Sequence, residues 1–211
     1  MATKNFEEII FEAFGEEFFR KYTIGLYGIY AVTQESAKAK YDRMYRPFVS
    51  GQERFVKANE LLRDIGEQYQ HIDSRLITPP GCSIPCGVAK ANNITITCAS
   101  IQSPAEIPNK ADYRNMLAAK NAQLNLFEDN EPAEIDLSTI EIYAVIGHGS
   151  SQKSKNEPEW IRLMVTDNEM KKKIWEVDLV KRFMVVLQGD EQAEVGSALV
   201  SAKRKRKTDG E

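Results

Sequence analysis

"TIEIYAVIG", residues 139–147, is apolar apart from Thr139 and Glu141, and its continuous apolar run reads as a central strand. "NITITCASI", residues 93–101, alternates with β-branched residues and supplies a second strand; "WIRLMVTD", residues 160–167, supplies a third. After it, Asp167 can cap a short segment, "NEMKKKIW". "VDLVKRFMVVLQ", residues 177–188, fits a strand or a helix equally.

Upstream the pattern is helical. Residues 4–21 place Phe6, Ile9, Ile10, Ala13 and Phe14 at three-and-four spacing with Glu7, Glu8, Glu12 and Glu16 between them, an amphipathic helix. "TIGLYGIYAV", residues 23–32, is interrupted by glycine and suits a buried helix or a short strand pair. Thr33 with Ser36 offers caps for a helix over "QESAKAKYDRMYR" that stops near Pro47. A third helix, about residues 51–70, would be capped by Ser50 with Glu53, and carries a stripe of Phe55, Ala58, Leu62, Ile65 and Tyr69. "TPPGCSIPCG" and "SPAEIPNKAD" are rich in turn residues and read as loops; a fourth helix runs from near Ala111 to about Gln123.

These elements predict an α+β fold in which N-terminal helices pack on a small, mainly antiparallel sheet. Residues 1–188 are expected to form one domain, helical over 1–75 and mixed over 76–188, with an acidic connection at 128–136. The piece that follows this connection is too small to bury a core alone. From Gly189 the composition shifts to Glu, Ala, Ser and Lys, so 189–211 is expected to be a flexible basic tail.

The chain has 211 residues, 42% of them hydrophobic and 28% charged, the balance of an ordinary globular protein. A net charge of −3 argues against a surface coated in cations, the footprint of a whole-domain nucleic-acid binder. Its longest uncharged, largely apolar run, Tyr22 to Val32, is far shorter than the roughly 20 residues that cross a bilayer, and no membrane partner is expected. Acids at the start of the chain do not suit a signal peptide, and three cysteines do not suggest a disulfide scaffold; a cytoplasmic location is expected.

No complete catalytic constellation is present, so partner-binding segments carry the functional reading. "KNAQLNLFEDNEP", residues 120–132, runs from the fourth helix into the acidic connection. As a helix, Leu117, Leu124 and Phe127 fall on one side, but Leu126 points almost opposite Leu117. As an extended peptide, neighbouring side chains enter separate pockets. Residues 123–127, Gln-Leu-Asn-Leu-Phe, resemble the bacterial sliding-clamp-binding peptide, whose usual form is Gln-Leu-Ser/Asp-Leu-Phe, with Asn125 here at the third place. The resemblance covers these five residues alone. It implies that Gln123 is a polar anchor, Leu124 a side contact, and Leu126 with Phe127 a buried plug in the clamp's cleft.

The run Lys203, Arg204, Lys205, Arg206, Lys207 offers five successive cations for DNA or RNA phosphates, with binding steeply dependent on salt. Zinc is a second candidate ligand: Cys82 and Cys86 have a permitted ligand spacing, with Cys98 and His71 to complete a set. The paired Cys-x2-Cys knuckles of a firm zinc signature are missing. His148 and Ser150 follow the central strand directly, a place where catalytic groups often sit, and Glu141 is near in sequence. Their order, Gly-His-Gly-Ser-Ser, does not match a nucleophile elbow.

The chain is therefore expected to be a non-catalytic, DNA-associated accessory protein of bacterial or phage type, tethered to the replication sliding clamp. A metal-dependent hydrolase or nuclease using His148 and neighbouring carboxylates is the alternative from a different class. A plain protein-interaction domain is a third.

Overall fold

Asn5 starts the first helix with a reciprocal cap: its side-chain oxygen accepts from the Glu8 amide at 3.0 Å, and the Glu8 carboxylate accepts from the Asn5 amide at 3.1 Å. Helix α1 (Phe6–Phe14) ends at Gly15, whose φ of 81° breaks the pattern before α2 (Glu16–Lys40). The expected single helix over 4–21 is thus two. The glycine-interrupted stretch and the "QESAKAK" that follows are both inside α2, so Thr33 is no cap; its hydroxyl donates to the Ile29 carbonyl at 2.7 Å within the helix.

The computed structural model describes residues 5–80, 83–125, 137–150 and 156–184. Helix α3 (Arg46–Gly66) starts earlier than expected, with Pro47 in its first turn, where a missing amide hydrogen costs nothing. Ser50 therefore lies within the helix, and its hydroxyl donates to the Pro47 carbonyl.

Among the described residues six strands follow: β1 (Asp73–Ile77), β2 (Cys86–Ala91), β3 (Ile94–Ser100), β4 (Ile142–Gly149), β5 (Trp160–Thr166) and β6 (Lys173–Asp178). They lie in the sheet in sequence order. Every neighbouring pair is antiparallel except β3 and β4, which run parallel from Ile94 opposite Ile142 to Ser100 opposite His148. The fold is α+β, and β4, buried at all eight positions, lies inside the sheet. Strands β1 and β2 were not foreseen. "CGVAKA" contains one β-branched residue, and its pairing is fixed by contacts distant in sequence. The Gly87 amide donates to Asn59 Oδ1 of α3 at 2.7 Å, and a Cβ at Gly87 would stand 2.5 Å from the Asn59 carbonyl oxygen.

The crossover from β3 to β4 contains α4 (Asp112–Ala118), a 3-10 turn (Ala119–Asn121) and α5 (Ala122–Asn125), not one continuous helix. Asn121 is the reason. Its fully buried amide accepts from the Tyr143 amide at 2.8 Å and donates to the carbonyls of Tyr143 (2.9 Å) and Thr166 (2.8 Å), bridging β4 and β5 just beyond their last backbone pairs. Asp167 accepts from the amides of Lys171 (2.6 Å) and Lys172 (3.2 Å) and closes a turn into β6, and α6 (Leu179–Met184) follows, so residues 177–184 of the undecided segment are strand then helix, while 185–188 lie outside the described residues.

Side chains alternate across a strand, so the sheet has two distinct faces. One carries Ile94, Ile96, Cys98, Ile142, Ile146 and Leu163 beneath Phe14, Phe18, Phe19, Tyr22, Leu26 and Leu62 of the three N-terminal helices. The other carries Ala99, Tyr143, Val145 and Met164 beneath Leu117 and Ala118 of α4. No described helix is long and apolar enough to cross a membrane.

Candidate functional site

Helix α2 crosses the sheet with Tyr22 and Tyr30 directed onto it. Tyr22 lies against Cys98, whose burial pushes its thiol up to about 12. Two turns on, the Tyr30 hydroxyl shares a 2.9 Å hydrogen bond with His148 Nδ1, with the rings edge-on at 5.8 Å. The Arg54 guanidinium of α3 stacks over the Tyr30 ring at 4.5 Å. Its Nε donates to Thr33 Oγ1 at 3.2 Å and its Nη2 to Gln34 Oε1 at 3.1 Å.

Burial disfavours charge on each of these groups. It holds His148 down at about 4, with help from the positive charge of Arg54. It raises Tyr30 to about 12, against the pull of Arg54. The imidazole and the phenol are thus both neutral across the physiological range, and Arg54 retains the charge.

Beside this cluster opens a cleft of about 340 Å³ at the carboxyl ends of the parallel pair. Tyr30, Gly51 and Arg54 form its helical wall; Ser100, Gln102 and Ser150 are among the residues of its strand-end wall. No carboxylate is among the described residues that line it. One guanidinium with hydroxyl and amide groups around it suits a small anion.

The residues expected to form a hydrolase do not converge. His148 is 1% exposed and faces Tyr30, while Glu141 lies just before the opposite end of β4, about 23 Å away along a seven-residue rise. Glu141 is instead bracketed by Lys120 at 3.1 Å and Lys90 at 4.0 Å, the latter in β2. Ser150 does reach the cleft. The zinc set is not assembled either. Cys86 and Cys98 are buried free thiols whose strand positions direct them to opposite faces, and His71 is exposed beside Tyr69. Cys82 lies outside the described residues. Among the described residues no three of His, Cys, Asp or Glu stand close enough to hold a metal ion.

In the clamp-like stretch, Gln123 is exposed and Leu124, at 6% exposure, packs into the larger core. The side contact expected of Leu124 is thus made with its own interior. Leu126 and Phe127 lie outside the described residues, as do the acidic connection and the tail with Lys203, Arg204, Lys205, Arg206 and Lys207. Sequence reading missed Tyr30, Arg54 and Asn121. The first two become neighbours only when α2 and α3 pair, and the one signal for Asn121 is a poor helix former inside a helical run. Comparison of the chain with family models, with curated proteins and with solved structures finds no match in any of the three.

Proposed function

We propose that this chain is a DNA-associated accessory protein that docks on the bacterial replication sliding clamp through residues 123–127. The observation that carries the reading is the position of Gln123. It is exposed, two residues after Asn121 is pinned by three hydrogen bonds into the sheet. A rigid origin for a recognition peptide lowers the entropy lost when it binds. With Leu124 retained in the core, Gln123 is the polar anchor and Leu126 with Phe127 the apolar plug. A second, electrostatic contact from the basic run at 203–207 would add avidity through effective concentration.

The test is a pull-down of the full chain on the host clamp, comparing wild type with Gln123→Ala plus Phe127→Ala. Retention of wild type and at least tenfold weaker retention of the double variant, with unchanged circular dichroism, is the expected result. Equal retention of both proteins, or of neither, removes the clamp from the account.

A further inference from the structure

The tip of the α2–α3 hairpin is apolar and basic at once. Four large side chains face solvent within eight residues: Tyr41 is 41% exposed, Met44 81%, Tyr45 57% and Phe48 66%. Such a cluster is unusual, because a folded chain ordinarily buries most of its aromatic area. Exposed Lys38, Lys40 and Arg43 and half-buried Arg46 are interleaved with it, and Asp42 is the one acid from 38 to 48. None of Lys38, Lys40 and Arg43 has an ion pair among the described residues. Arg46 Nε donates to the Tyr41 carbonyl at 2.8 Å and ties the loop together.

These cations form a local positive island on a chain whose formal charge is −3. A polyanion would therefore be drawn to the tip and not to the protein at large. Aromatic faces that stand free need a flat apolar partner. In a duplex the base faces are stacked away, so the two properties together select a strand whose bases are unpaired. We infer that the tip formed by Tyr41, Arg43, Met44, Tyr45 and Phe48 is a binding platform for single-stranded nucleic acid, with bases on the aromatic rings and phosphates on Lys38, Lys40 and Arg43. The platform shares no residue with the clamp peptide or the basic run, so each can be tested by its own variants.

The experiment is fluorescence anisotropy of the full chain with labelled oligothymidylate over a salt series, beside a duplex of equal length and vesicles of phosphatidylcholine with phosphatidylserine. Tyr45→Ala with Phe48→Ala should weaken oligonucleotide binding roughly tenfold or more. Lys40→Gln with Arg43→Gln should reduce the slope of log affinity against log salt by about 1.4. All four side chains are exposed, so circular dichroism should be unchanged. Unaltered affinity in the aromatic variant overturns the platform, and so does binding to vesicles without binding to the oligonucleotide. Should deletion of 203–207 abolish binding while the tip variants retain it, the platform falls but the DNA-associated reading stands on the tail.

Discussion

On one face of the sheet, α1, α2 and α3 lay down Phe14, Phe18, Phe19, Tyr22, Leu26 and Leu62, all of them fully buried. On the other, the shorter α4 contributes Tyr113, Leu117 and Ala118, and polar groups make specific joints: Asn121 to Tyr143 and Thr166, and Tyr143 to Thr97 at 2.7 Å. The first face is held by area removed from water, which tolerates changes of shape at fixed volume. The second is held by hydrogen bonds, which tolerate no missing partner. A thick greasy layer gives cohesion, and a thin one uses directed bonds to set register.

This contrast can be broken most forcefully at the aromatic layer. Phe18→Ala should cost about 4 kcal/mol of unfolding free energy by leaving a cavity, read as a lower urea midpoint at unchanged slope. A loss under 1 kcal/mol would mean that the helices are less tightly joined to the sheet than their burial says. Next is the polar site on the thick face. His148 has an ordinary value of 6.5 and is held at about 4 by burial and Arg54, so the unfolded chain takes up its proton first as pH falls. Its contribution is complete above pH 6.5 and is lost as pH falls toward 4, on the order of 3 kcal/mol in all. Urea titrations at several pH values should show a shallower pH dependence in His148→Gln than in wild type; parallel curves would refute the assignment. The thin face is probed by Asn121→Ala, which strands one amide and two carbonyls and should cost about 2 kcal/mol. Hydrogen exchange sharpens the comparison further: Tyr143 should lose protection in that variant, while Ile96 on β3 should retain it.

What the sequence disclosed follows the same division. β3, β4 and β5 are legible because β-branched runs between turn residues leave few alternatives. The helical stripe of Phe6, Ile9, Ile10 and Phe14 is legible for the equivalent reason at helical period. α2 is not, because Gly25 and Gly28 argue locally against a helix that packing against α3 and the sheet then enforces. β1 and β2 are hidden because their pairing depends on α3 and β3 more than on their own residues. Beside the cleft, His148 stands out as one of two histidines, but its partner Tyr30 is 118 positions away and nothing local joins them. Separation in sequence also conceals Asn121, whose partners Tyr143 and Thr166 belong to two later strands.

The parallel seam has a kinetic consequence. Three strands on each side of it can zip up from nearby pairings, the widest of which joins Ala144 to Val165, whereas closing the seam brings Ile94 to Ile142. Each meander is thus a unit that nucleates early, and the junction between them sets the slow step, since distant contacts bear the entropy of loop closure before they are rewarded. Lengthening the crossover should slow refolding while leaving the unfolding rate almost untouched.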